Sequence, residues 1–382
     1  MNRLPSYLAR LARLAPLARL ASLASLATLS TCSDPIVPEF DFQTGFLLIE
    51  GRITNEPGTS FLNVSRSDLV LETYALIPES GVQAEFVDAE SGATFPLIAQ
   101  GRRLVPADPF AAEDGRSYFA RVRTSRGEVF ESTPERLPRA VPIVEARIDF
   151  EQDAFFSEAR NRFVPAFLSR VTFDDPAGEA NYYLWEQQTW SEQLVCITCP
   201  SQTAYRNGSC VPRQTFRNSQ FDYLCDVPCW ATSRTQGTNL FTDELTDGNR
   251  VRDITVGRDV WDNGGGLLTE IQQYNITQAA YDYNLVLREA AEGGGSLNAP
   301  QPATLVGNVS ALEGTETLSL GFVGVAAVST ERIYFDRDTV DGVPLPFETT
   351  ITLEPTTPTF TPPRAPCEGN ARTRIRPRGW PE

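Results

Sequence analysis

Phe46-Leu47-Leu48-Ile49-Glu50-Gly51-Arg52-Ile53-Thr54, closed by Asn55-Glu56-Pro57-Gly58, reads as a β-strand running into a turn. The same grammar recurs outward from it. Phe61 to Arg66 and Val82 to Asp88 are strand-like, and Ser91-Gly92 is a turn. Ser117 to Thr124 puts Tyr118, Ala120 and Val122 on one face and Phe119, Arg121 and Arg123 on the other, the two-residue period of a half-buried strand. Ser125-Arg126-Gly127 turns the chain into Glu128-Val129-Phe130-Glu131. About seven short strands in such a span predict an antiparallel β-sandwich of immunoglobulin or transthyretin type over residues 46–142. Pro134, Pro138 and Pro142 mark its end.

Residues 143–343 read as a larger β-rich domain. Val144–Phe150, Phe167–Phe173, Asn181–Glu186, Thr269–Ile276, Val323–Ser329 and Arg332–Phe335 are its expected strands. One helix is expected from Gln278 to Glu292. Ala280, Tyr283, Leu287 and Ala291 form its stripe, and Gly293-Gly294-Gly295 ends it. Residues 344–382, rich in Pro, Thr and Arg, read as an extended tail. The fold class is therefore mainly β: an N-terminal sandwich followed by a larger, disulfide-stapled domain with one helix.

Residues 1–31 read as a targeting segment. Arg3, Arg10, Arg13 and Arg19 precede a short apolar run, Leu20 to Leu29, and no acid occurs before Asp34. The run is too short for a stable transmembrane helix. It ends in Leu29-Ser30-Thr31-Cys32, a Leu three residues before a cysteine with small residues between. That arrangement resembles the lipobox of bacterial lipoproteins, with Thr31 departing from the usual Gly or Ala. It makes Cys32 the expected acylated N-terminus and residues 32–45 a lipidated tether. An organellar transit peptide or an ordinary secretory signal are the competing readings.

Composition removes several chemistries. The chain has 382 residues and no histidine, its 33 basic residues are all arginine, and Met1 is its one methionine. Imidazole-dependent nucleophilic catalysis, lysine Schiff bases and the P-loop lysine are excluded. The formal net charge is −16. That acidity disfavours nucleic acid, so no nucleic-acid partner is expected.

The remaining motifs have ordinary readings. Cys196, Cys199, Cys210, Cys225, Cys229 and Cys367 form an even set, and export favours disulfides over a four-cysteine zinc site or a redox pair. Six cysteines allow 15 pairings, with Cys367 expected to fasten the tail to the larger domain. Asp243-Glu244-Leu245-Thr246-Asp247-Gly248-Asn249 could suggest calcium but lacks EF-hand spacing and reads as a turn. Trp185, Trp190, Trp230 and Trp261 could stack sugars but are expected in the core. Asp174-Asp175 could suggest glycoside hydrolysis, yet adjacent acids point apart. Gly264-Gly265-Gly266 lacks the strand-to-helix setting of a phosphate loop. No catalytic residue, cofactor or metal is expected.

Several stretches taken in order carry a family resemblance: Ile49-Glu50-Gly51-Arg52-Ile53-Thr54-Asn55, Val64-Ser65-Arg66-Ser67, Asn181-Tyr182-Tyr183-Leu184-Trp185, the cysteine pairs, and Leu240 to Gly248. Gln273-Tyr274, Ala279 to Tyr283, Gly307-Asn308-Val309 and Gly321-Phe322 follow. The chain resembles Bacteroidota outer-membrane lipoproteins of the family known as domain of unknown function 4249. The resemblance implies a lipoprotein anchored at the outer membrane, facing the periplasm or the cell surface, and a companion of a TonB-dependent transporter. It implies no catalytic residue. The expected function is therefore non-catalytic binding. A carboxylate-based surface glycan hydrolase and a purely structural surface protein are the alternatives. The partner contact is expected around the 191–236 loops and Tyr274–Tyr283.

Cys32→Ser should release the protein from membranes or stall its processing. Fractionation checks the first outcome, and mass spectrometry finding Cys32 unmodified in the mature wild-type protein would contradict the reading.

Overall fold

The computed structural model describes residues 44–71, 73–192, 195–198, 203–206, 209–212, 223–227, 229–234, 239–293, 305–346, 367 and 371–382. The opening strand is present as β1 (Leu47–Thr54), paired antiparallel with β2 (Phe61–Val70) so that Arg52 lies opposite Phe61. Gly51 is needed there: a Cβ on it would lie 2.5 Å from the carbonyl oxygen of Phe61. β2 turns into β3 (Thr73–Pro78). β4 (Gln83–Asp88), β5 (Thr94–Gln100), β6 (Arg103–Pro106), β7 (Ser117–Arg123), β8 (Val129–Ser132) and β9 (Glu135–Arg136) follow. β4 pairs with β5 and β7, and β7 with β8 and β9, which makes a second sheet facing the β1–β2 layer. β5 then pairs with β6, which reaches β2 at Leu62 opposite Leu104. Tyr118, Ala120 and Val122 are buried on β7 as their alternation predicts.

β10 (Ile143–Ser157) and β11 (Arg162–Asp174) form a long hairpin. β12 (Tyr182–Glu192) is followed by four short strands: β13 (Val195–Thr198), β14 (Thr203–Arg206), β15 (Ser209–Pro212) and β16 (Tyr223–Val227). β17 (Trp230–Arg234) and β18 (Asn239–Thr242) pair along β12, and β19 (Arg250–Val260) pairs with β11. β20 (Gly266–Ile276) runs into α1 (Gln278–Gly293), the α-helix among the described residues. Thr277 caps it, its hydroxyl accepting from the backbone N–H of Ala280. Of the expected stripe, Ala280 and Tyr283 are buried, Leu287 is half-buried and Ala291 is exposed.

The last strands decide the architecture. β21 (Val309–Ala311) pairs with β8, and β22 (Ser319–Leu320) with β1. β23 (Val323–Asp336) runs parallel to β1 and antiparallel to β20. The two strands expected at Val323–Ser329 and Arg332–Phe335 are thus one strand of 14 residues. The central sheet has the order β2–β1–β23–β20–β12, with β17 and β18 beyond β12. Layers from 46–142 and from 143–343 therefore share one sheet, and 44–382 form one unit.

One face of that sheet is covered twice. Near β1, Leu47, Ile49, Ile53, Val323 and Val325 pack with Phe86, Tyr118 and Phe130 of the second sheet. Near β12, Tyr183, Trp185 and Ile271 pack with Phe173, Val251 and Val256 of the β10–β11–β19 sheet. The opposite face carries α1 on Leu184, Tyr274, Ile276, Phe322, Ala326 and Val328. Beyond α1 that face is polar.

Cys229 and Cys367 form a disulfide across 138 residues. Beside it β24 (Arg372–Thr373) pairs with β17, and the Trp380 ring packs edge-on against Trp230 and Tyr334. Cys196, Cys210 and Cys225 sit on described strands, but their side chains, like all of Cys199, lie outside the described residues, as does Cys32. Replacing Cys367 by Ser should lower stability by about 2–5 kcal/mol through the long loop it releases, read as a drop in the urea midpoint.

Candidate functional site

Along the open face of the central sheet, alternation presents Glu50 and Arg52 of β1, Phe61 and Asn63 of β2, Gln272, Tyr274 and Ile276 of β20, and Leu184 and Glu186 of β12. Between β1 and β20 lies β23, which lines the cavity on this face with Gly324 and Ala326, Val328 following beside Tyr274. The small size of the first two leaves a trough over the strand. Arg52 lies across it: its guanidinium sits 3.8 Å from the centre of the Tyr274 ring and forms an ion pair with Glu186. Strands β1 and β12 are thereby bridged over two intervening strands.

The trough opens into two adjoining cavities that share Arg52, Phe61 and Glu186. One, about 230 Å³, lies toward α1 and is floored by Leu184, Ile276 and Phe322. Glu50, Asn63, Tyr283 and Asn284 are its polar wall. The other, about 250 Å³, lies toward β6 and β17 and holds Arg103, Arg234, Gln100, Gln272 and Ser60. Arg103 stacks on Phe61 at 4.1 Å, with Arg52 5.9 Å from the same ring. Three guanidiniums thus stand against one carboxylate, and among the described residues neither Arg103 nor Arg234 has an ion-pair partner.

The electrostatics follow from this crowding. Burial opposes the charge on Arg52, but Tyr274 and Glu186 outweigh it and hold the guanidinium above its usual range. Burial, then repulsion from Arg234 and Arg52, lowers Arg103. Burial pushes the Tyr274 and Tyr283 hydroxyls each up to about 12, so both remain donors. Burial also raises Glu50. Two polar atoms in the trough are buried without a hydrogen-bond partner among the described residues: Nη1 of Arg52 and the hydroxyl of Tyr283. Both can donate to a ligand.

The other residues singled out in the sequence lie elsewhere. Trp185, Trp230 and Trp261 are buried and Trp190 is half-buried, so the four make no platform. Asp174 is exposed and paired with Arg250, while Asp175 is buried and accepts from the Tyr183 hydroxyl. The two acids do point apart. Asp175, Asp243 and Asp247 lie close, carboxylate oxygens within 4.8 Å of one another. Backbone N–H groups of Gly248, Asn181 and Gly178 donate to them, which ties two turns together. The carbonyls of Gly264, Gly265 and Gly266 accept from the buried guanidinium of Arg337, so this loop is a structural staple. Of the contact region expected at Tyr274–Tyr283, both end residues line the trough, whereas much of 191–236 lies outside the described residues. Arg52, Arg103 and Arg234 were not singled out: each is an ordinary strand arginine until the register brings the three together.

Fold and cleft together define a mainly β protein with an arginine-lined trough on one open sheet face. The chain belongs to the family described as Domain of unknown function (DUF4249), whose sequence model matches residues 33–332. No curated protein matches it.

At the N-terminus of α1, the buried Glu135 carboxylate accepts from the Thr277 hydroxyl and the Val325 N–H with no ion-pair partner among the described residues, and burial raises it to about 7. The folded state therefore holds this proton more tightly than the unfolded chain. Stability is full below pH ~4.5 and falls as pH rises to about 7, by at most about 3 kcal/mol. Glu135→Gln should remove that share of the fall, so urea midpoints of variant and wild type should diverge in the variant's favour between pH 5 and pH 8.

Proposed function

We propose that this is a lipid-anchored, non-catalytic binding protein of the outer membrane, a companion of a TonB-dependent transporter, which holds its ligand in the trough over β23. The observation that carries the reading is the trough itself: an open sheet face with three convergent arginines and two unpartnered buried donors. A few placed polar groups over an apolar floor make a ligand site. Ile49–Asn55, Gln273-Tyr274, Ala279–Tyr283 and Gly321-Phe322, stretches that carry the family resemblance, supply much of its wall.

Anchoring at Cys32 has its own support. Beyond position 43 the chain leads into β1 beside the β2–β3 hairpin, the Gly45 N–H donating to the Ser67 carbonyl. The tip of that hairpin is apolar and exposed, with Leu69 and Val70 near half and Leu71 94% exposed. Leu71 also holds a φ of 51°, a left-handed conformation unfavourable for leucine. Such a tip suits a lipid surface.

One observation favours the hydrolase instead: Glu50 and Glu186 line the same cavity. Glu186, however, is committed to Arg52. Mild crosslinking of intact outer membranes followed by purification should recover a transporter with this chain. Recovery of the chain alone, together with glycan cleavage abolished by Glu50→Gln, would establish the hydrolase in its place.

A further inference from the structure

Resting on that reading of the trough as a ligand site, we infer that its ligand is a short acidic carbohydrate, a sugar bearing a carboxylate or sulfate. The first observation is the sign of the charge. In a chain of net charge −16, the larger cavity of the trough gathers Arg52, Arg103 and Arg234 around a single carboxylate, Glu186. Arg103 and Arg234 repel each other and have no ion-pair partner among the described residues. A guanidinium cluster held this way is relieved by an oxyanion, which accepts the planar donors in pairs. Nη1 of Arg52, buried and without a partner, is already fixed by Glu186 and Tyr274 and is such a donor.

The second observation separates a sugar from a bare anion or an acyl chain. Next to the arginines the smaller cavity is not wholly apolar. Its floor of Leu184, Ile276 and Phe322 can take the C–H face of a ring. Its wall offers the Glu50 carboxyl, the Asn284 amide and the unpartnered hydroxyl of Tyr283, itself only 7% exposed. The Asn284 amide donates to the Ala280 carbonyl, which fixes its oxygen as an acceptor. Acceptors and a donor around an apolar floor match the hydroxyls of a saccharide, and an alkyl tail would leave them unpaired. Both cavities are smaller than the roughly 300–1,000 Å³ typical of drug-sized ligands, which limits the ligand to a short one.

The test is calorimetric titration of the full-length acylated protein in detergent with digalacturonate, a sulfated disaccharide, the methyl ester of digalacturonate, and inorganic sulfate. Binding of either acidic disaccharide is expected. The ester and free sulfate should bind at least tenfold more weakly, and affinity should fall with salt. The double variant Arg103→Gln, Arg234→Gln should lose at least tenfold; both positions are exposed, and an unchanged circular dichroism spectrum checks the fold. Tyr283→Phe should lose severalfold, with affinity for free sulfate unchanged. Binding of neither acidic disaccharide, equal affinity for the ester, or indifference to the arginine variants would overturn the inference. Transporter co-purification is read separately: if it persists while both acidic sugars fail, the ligand class falls and the companion reading stands.

Discussion

The parallel pairing of β1 with β23 is the constraint on which the rest depends. Gly51 to Thr54 lie beside Val323 to Ala326, so strands about 270 positions apart in the chain become neighbours. Without that junction the β1–β2 layer of the N-terminal core stops at β1, because Val323 and Val325 extend it beside Ile49 and Ile53 and against Phe130. The same strand completes the other half through its eleven-residue ladder with β20. Gly321 fits the junction tightly: with φ at 107° it passes Ile49 so closely that a Cβ would lie 2.1 Å from its carbonyl oxygen. So non-local a contact implies slow folding, since the chain must close a very long loop before the pairing contributes.

The cleft is a by-product of the same strand. Alternation puts Val323 and Val325 of β23 into the sandwich core and leaves Gly324 and Ala326 on the open face. Arg52 crosses this face to reach Tyr274 and Glu186. Arginine suits this span better than lysine: its flat guanidinium stacks on a ring and still donates sideways. An exclusively arginine basic set therefore has a structural use here, seen again in Arg337 collecting three glycine carbonyls. Arg337 acts through planar, multidentate donation and Arg52 through stacking beside one charge-assisted hydrogen bond, neither of which a point charge would reproduce.

Local features were legible in the sequence. The alternation of Ser117–Thr124, the turns at Asn55–Gly58 and Asp243–Asn249, and the helix after Ile276 all depend on residues near one another in the chain. The opposite directions of Asp174 and Asp175 follow from strand geometry alone. What was not legible is the junction. Val323–Phe335 reads as two strands because Thr330 and Glu331 interrupt its apolar run, yet the partner strand continues past both. Nor does sequence show that a strand from the far end of the chain extends the β1 layer of 46–142. The candidate site was hidden for the same reason: Arg52, Arg103 and Arg234 come from three strands, and only the sheet order brings them to one trough.

The central claim is that this trough is where the protein holds a ligand. Side-chain NMR of arginine Nε–H groups during titration with an acidic disaccharide tests it most directly. The account predicts that signals of Arg52, Arg103 and Arg234 move together while that of Arg337, buried and tied to Gly264–Gly266, stays in place. Shifts confined to other arginines, or none at saturating disaccharide, would contradict it.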